Sequence, residues 1–376
     1  MAIEAIDRIL SAATKTGAAP GVVAAARLPD GREYAGAFGV RGVDDPAAMT
    51  ADTIFWIASM TKALTSVAAL QLIEQGALSL DQEAAAIVPA IGESTILEGF
   101  DASGAPRLRP ARRPVTVRHL MTHTSGYGYA FMSPDLARYA AETGADMTQA
   151  LGLPRLFEAG ERWQYGVSTD FVGQIVEQVS GLGLDAYLKR HVFDALGMAD
   201  TTFALSPEQA ARKAAMHART PDGGLAPMPF APPPPPNPML GGGGLWSTAG
   251  DYLTFLKALL DGGAPILGPL AMSLLATNQV GDLDCGELTS SNPALTNDFQ
   301  PMPGQSKRWT LGLMLNQEPG PHGRGGGSLA WAGVSNCYYW LDPAAGAAGV
   351  VLMQFLPFAD PRALETFAAF ERAVYA

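Results

Sequence analysis

The stretch TIFWIASMTKALTSVAALQLIEQG, Thr53–Gly76, runs from a short apolar segment into an amphipathic helical pattern that stops at a glycine. Ser59 and Lys62 stand three residues apart at the join. At that spacing two side chains share a helix face, so a hydroxyl and an amine can meet. Serine is a weak nucleophile at neutral pH and needs a base. Lysine serves as one only when its ammonium is destabilised. The positive end of the helix and the apolar neighbours Phe55, Trp56 and Ala63 act in that direction, and predict a Lys62 pKa below the ordinary lysine value. The Ser59 N–H, in the first helical turn, points where negative charge would develop on an attacked carbonyl. This is the only Ser-x-x-Lys in the chain. The competing reading of the pair is an ordinary helix lysine reaching to solvent.

On the N-terminal side, MAIEAIDRILSAATKTGAAPG places Ile3, Ile6, Ile9 and Leu10 on one side of a helix with acids between them. That is not the basic start and apolar core of a secretory signal. GVVAAARLPDGREYAGAFGVRG then predicts a hairpin turning at Asp30-Gly31. From about Leu78 to Phe230 the signals are mostly helical. PVTVRHLMTHTSG is a short helix stopped by Ser125-Gly126, and STDFVGQIVEQVSGLGLDAYLKRHVFDALGM gives two helices broken at Gly181-Leu182-Gly183. PMPFAPPPPPNPMLGGGG, Pro227–Gly244, excludes helix and central strand and reads as a stiff connector leading to a close backbone approach. Thr248–Gly263 is a further helix. LAWAGVSNCYYWLDPAAGAAGVVLMQFLP reads as two strands around Asp342-Pro343, and the chain closes with a helix carrying Leu364, Phe367, Phe370 and Val374 on one side. Strands thus cluster at both ends. The expected fold class is α/β (α+β): an antiparallel sheet from both termini, flanked by helices, with residues 1–77 and 240–376 forming one discontinuous domain and 78–239 a mainly helical insert.

Of the 376 residues, 48% are hydrophobic and 16% charged, which reads as well-packed globular protein. The formal net charge is −11, from 25 basic against 36 acidic residues. The densest basic cluster, RLRPARRPVTVRH (Arg107–His119), is broken by prolines and reads as a loop. Nucleic acid and anionic membrane are therefore not expected as partners, since both require a positive field. Two distant cysteines, Cys285 and Cys337, make no disulfide framework. No stretch reaches the roughly 20 apolar residues of a membrane span, and a cytoplasmic location is expected. His119 and His123 are four apart, but Leu120 occupies the place where a zinc hydrolase carries glutamate. They are expected to cap or pack, with no metal and no cofactor. GRGGGS (Gly323–Ser328) lacks the ending of a phosphate loop and reads as a turn, and no Gly-x-Ser-x-Gly elbow occurs.

SMTKALTSVAALQLIEQGALSLD resembles the Ser-x-x-Lys segment of the serine β-lactamases and DD-peptidases. LMTHTSG (Leu120–Gly126), GERWQYGVSTDFVGQIVEQVSG, GGGGLWSTAGDYLTFL and AWAGVSNCYYWLDP are similar to further segments of the class C branch, in the expected order. The resemblance spans roughly residues 5 to 372 and implies an acyl-enzyme mechanism on Ser59. It implies Tyr165 as third catalytic member beside Lys62, because a phenol next to an ammonium can share one proton with it. It also implies Val334 N–H as a second oxyanion donor beside that of Ser59.

The chain departs from the β-lactamases at two places. Val167 stands where Tyr-x-Asn would put an amide, and Trp331-Ala332-Gly333 stands where they carry Lys-Thr-Gly. An indole and a methyl leave a β-lactam carboxylate without partners and favour a neutral, apolar acyl group. Trp-x-Gly here resembles the family VIII carboxylesterases. The expected activity is hydrolysis of short-chain carboxylic esters, with a small-molecule ester as partner and Trp331, Gly333, Tyr127 and Trp246 as candidate substrate contacts. The alternatives are a class C-like β-lactamase or D-amino-acid amidase or peptidase, an acyltransferase, and a binding protein that has lost the chemistry.

Overall fold

The computed structural model describes residues 2–145, 152–229 and 240–376. The proline run at 230–239 lies outside the described residues, so the connector expected there is described only from residue 240 onward.

The hairpin forms as its turn residues dictate. Strand β1 (Gly21–Arg27) pairs antiparallel with β2 (Glu33–Gly39), and Gly31 between them takes φ +85°, which glycine adopts without strain. Five strands from the C-terminal part complete the sheet: β3 (Lys307–Trp309), β4 (Met314–Asn316), β5 (Leu329–Gly333), β6 (Cys337–Asp342) and β7 (Ala347–Leu352). The order is β2-β1-β7-β6-β5-β4-β3, and every neighbour is antiparallel. Both termini therefore build one sheet, as expected. The tail sequence gives three strands of this sheet, and a two-residue strand at Phe355–Leu356 that pairs with His217–Ala218, where two strands were expected. The chain turns back at Val334–Asn336, and Asn336 takes φ +58°, a conformation asparagine tolerates.

Helices α1 (Ala2–Lys15) and α6 (Pro361–Val374) pack on each other and on the sheet, while α5 (Ala249–Leu260) packs against β1, β6 and β7. Ile6, Leu10, Phe370 and Val374 supply the buried stripes of α1 and α6. Helix α2 (Thr61–Glu74) is different. Every residue from Thr61 to Leu72 is buried, so the amphipathic reading of this segment is corrected. It runs through the interior, packed on α4 (Ser168–Ser180), and an element covered on all sides needs no polar face. The segment from 78 to 229 holds helices, among them α3 (Val117–Met121) and α4, but it also contains a hairpin, Thr95–Phe100 with Pro106–Pro110, and two short strands, His217–Arg219 and Leu225–Pro227. Part of the basic cluster read as loop is thus strand. Alternation at 106–110 is weak because neither face is buried.

Candidate active site

Ser59 sits on a 3-10 turn, Ala58–Met60, just before α2 rather than within its first α-helical turn. Ala58 is a buried non-glycine residue at φ +46°, so the backbone leading to the hydroxyl is strained. The surroundings hold it there. Ile57 N–H donates to Leu245 O at 3.0 Å, and a Cβ at position 333 would lie 2.3 Å from Ile57 O. Gly333 is therefore required by a crossing of two backbones, β5 passing against the turn that carries the serine.

Lys62, 1% exposed, donates to Ser59 Oγ at 3.2 Å, to Tyr129 Oη at 3.0 Å and to Gly242 O at 2.6 Å. Three acceptors match the three protons of an ammonium. Burial does penalise this charge, as the sequence predicted, but Tyr129, Tyr165 and Asp170 around it outweigh burial and hold the Lys62 pKa above the ordinary value. The expectation of a lowered pKa is corrected. The apolar neighbours visible in the sequence were real, and the polar groups that fold in from distant segments were not visible.

Tyr165 is buried just ahead of α4, with its ring 4.9 Å from Lys62 Nζ. The Trp331 indole N–H donates to its Oη at 2.9 Å. Ser59, Tyr165, Trp331, Ala332 and Val334 line one cleft together with Phe131, Met132, Leu288 and Phe358. The structure thus brings together Ser59, Lys62, Tyr165, Trp331 and Val334. It does not bring Tyr127 or Trp246 to the cleft. Tyr127 packs on Phe171 at 4.8 Å with Arg155 over its ring, and Trp246 is buried in a two-strand ribbon opposite Trp56. Both are interior side chains outside the lining of this cleft.

Two residues were missed. Tyr129, two places after Tyr127 in SGYGYAF, is the one that reaches Lys62; nothing in the sequence ranks one tyrosine above the other. Burial pushes its phenol pKa up against the opposing pull of Lys62, and it serves as a neutral partner stacked on Phe131 at 4.8 Å. The second is Asp170, buried in the first turn of α4. Of the two histidines, His119 Nδ1 accepts from Thr116 N–H at 3.1 Å and completes a helix cap. His123 packs its ring on Tyr165 and Trp309 at 4.9 and 5.3 Å, and burial, then the Lys62 charge, keeps it neutral. Among the described residues no group of three His, Cys, Asp or Glu could hold a metal ion, and no helix is long and apolar enough to cross a membrane.

A beta-lactamase family profile matches residues 6–373, nearly the whole chain. The chain belongs to the beta-lactamase family. Within it, the chain is 32% identical to monacolin J acid methylbutanoyltransferase of Aspergillus terreus, over 97% of this chain and 93% of that protein. It is 28% identical to the lovastatin esterase of Penicillium rubens, over 93% and 92%. A mutant form of the simvastatin synthase of Aspergillus terreus superposes with a TM-score of 0.89 at 31% identity, covering 100% of this chain and 94% of that one. The protein is therefore a serine acyl-enzyme of the beta-lactamase fold, and its relatives include both acyltransferases and an esterase. They do not single out the family VIII carboxylesterases that Trp331-Ala332-Gly333 resembles.

Proposed function

We propose that this chain is an acyltransferase, which moves a short acyl group from an activated ester or thioester to the hydroxyl of an apolar alcohol through an ester on Ser59. The observation that carries the reading is the lining of the Ser59 cleft, where Phe131, Met132, Leu288, Trp331 and Phe358 surround the nucleophile. Such a wall favours an apolar alcohol over water as the second substrate. The relatives named as acyltransferases support the same reading. Hydrolysis is the competing fate of the same acyl-enzyme.

In the first half-reaction Ser59 Oγ bonds to the acyl carbon as the leaving group departs, and the serine proton passes through Tyr165 Oη to that leaving group. The indole N–H of Trp331, which donates to Tyr165 Oη, and the ammonium of Lys62, 4.9 Å from the centre of the Tyr165 ring, both favour negative charge on this phenol. Ser59 and Val334, at the turn and at the end of β5, offer their N–H groups to the carbonyl oxygen. In the second half-reaction the acceptor hydroxyl loses its proton to Tyr165, attacks the same carbon, and Ser59 recovers the proton. A β-lactam carboxylate would meet an indole and a methyl in place of a cation and a hydroxyl.

The test is purified protein with p-nitrophenyl butyrate and an alicyclic alcohol, with the new ester and free butyrate both quantified. The butyrate ester of the alcohol should form, and Ser59→Ala should form none. Butyrate as the only product at every alcohol concentration would mean a plain esterase.

A further inference from the structure

Lys62 is anchored by a peptide that is itself anchored. Gly242 O receives the ammonium at 2.6 Å, and the N–H of the same residue donates to Asp170 Oδ1 at 2.8 Å. Next to it, Thr65 Oγ1 donates to Gly241 O at 2.8 Å, one turn further along α2 from Lys62. The glycines are needed for this fit. A Cβ at 242 would lie 2.8 and 2.9 Å from the two Asp170 carboxylate oxygens, and one at 241 would lie 2.7 Å from Thr169 O. So α2, the start of α4 and the glycine segment after residue 240 meet at one peptide group, with a buried carboxylate on one side and a buried ammonium on the other.

We propose that Asp170 is the positioning residue of the catalytic lysine: through the Gly242 peptide it aims the carbonyl that holds Lys62 beside Ser59, and its carboxylate is the counter-charge on the far side of that peptide. A carboxylate this deep costs free energy unless it is compensated, and a plain helix N-terminus is satisfied as well by serine or asparagine. The groups that face the pair are Tyr129, Tyr165 and His123. Burial keeps Tyr129 and His123 neutral, the latter also through the charge of Lys62, so Tyr129 offers Lys62 a hydrogen-bond acceptor while Asp170 offers the carboxylate. Burial raises the Asp170 pKa while Lys62 opposes it, and Asp170 is among the groups that hold the Lys62 pKa up.

The inference rests on the acyl-enzyme reading of Ser59, and its test begins there. Acylation by p-nitrophenyl butyrate is followed as a burst of p-nitrophenol across pH for wild type, Asp170→Asn and Gly242→Ala. Asn keeps an acceptor for the Gly242 N–H and removes only the charge. The ammonium is the working form and is lost as pH rises, so removing its counter-charge should move the alkaline limb of kcat/KM to lower pH by about one unit or more. Gly242→Ala, which forces the peptide from the carboxylate, should move it the same way and lower kcat about tenfold or more with little change in KM. A structural role alone would lower Tm and leave the limb in place. An alkaline limb that superimposes on that of wild type in either folded variant overturns the proposal, whereas a wild type that takes up no butyryl group on Ser59, read by intact mass, removes the Ser59 acylation reading along with it.

Discussion

Two phenols flank Lys62, and replacing each with phenylalanine separates their roles. In Tyr165→Phe the ring remains, so the contacts with His123 and Trp331, each at 4.9 Å, persist. Only the oxygen is lost, and with it two functions. The first is the proton transfer at Ser59 proposed above; loss of a positioned general base lowers rates by roughly 10²–10⁴, about 3–5 kcal/mol of barrier. The second is the acceptor for the Trp331 N–H, which is buried. An orphaned buried donor costs about 1–3 kcal/mol of stability. Tyr129→Phe is expected to act differently. Lys62 keeps two of its three acceptors, Ser59 Oγ and Gly242 O, and the stack on Phe131 survives. Acylation should fall about tenfold, the scale of one weakened charge-assisted hydrogen bond.

The assay is single-turnover release of p-nitrophenol with urea unfolding in parallel. The double variant Tyr165→Phe with Trp331→Phe gives the discriminating measurement. It removes the orphaned N–H, so stability should recover relative to Tyr165→Phe while the rate stays low. If Tyr129→Phe costs as much acylation as Tyr165→Phe, or if the double variant regains activity, the proton passes through a different group and the assignment is wrong.

Three further outcomes are expected. Gly333→Ala should fold poorly or lose acylation by roughly 100-fold, because its Cβ would fall 2.3 Å from Ile57 O and shift the Ser59 turn; near-normal acylation would mean the two backbones separate freely. Arg324 Nε donates to Glu371 Oε1 at 2.7 Å with both side chains 3% exposed, joining the turn before β5 to α6. Arg324→Met should cost about 3–5 kcal/mol in urea unfolding, and adding Glu371→Leu should recover most of that; a single-variant loss under about 1 kcal/mol contradicts it. Burial opposes the charge of Glu158, yet Arg109 and the Arg112 and Arg113 N–H groups lower its pKa to about 2. A depressed carboxylate stabilises fully above its unfolded pKa of about 4.3 and loses that contribution as pH falls toward 2. The stability gap between wild type and Glu158→Gln should therefore be constant near neutrality and shrink below about pH 4; a gap that does not narrow in acid rules the linkage out.

The sheet was legible because its signals are local. Asp30-Gly31 marks a turn, and the apolar run 347–352 marks a strand whatever it pairs with. The helix at 61–74 was placed from its stop at Gly76, but its environment was not, since burial on every side depends on what arrives from residues 168–180. The turn at Val334–Asn336 was missed for a related reason. Gly333, Ser335 and Asn336 are turn formers, but they sit between two apolar and aromatic runs that read as one strand, and the pairing with the neighbouring strand shows where the chain reverses.

The site divides along the same line. Ser59 and Lys62 are three residues apart, and their contact follows from helical spacing alone. Tyr165 and Val334 entered through resemblance, and Tyr129 and Asp170 did not enter at all, although each contributes to the state of the lysine. A pKa is set by everything within a few ångströms, so a reading confined to residues 53–76 sees only the neighbours that disfavour charge. The neighbours that favour it come from residues 129, 165 and 170, with Gly242 O as a further acceptor. The reversal has a mechanistic consequence. A lysine whose three protons are all engaged has no lone pair to take the serine proton, which supports the proposal that the Tyr165 phenol is the base and the lysine its electrostatic support. The chemistry of the Ser-x-x-Lys pair is thus decided by residues that the pair does not contain.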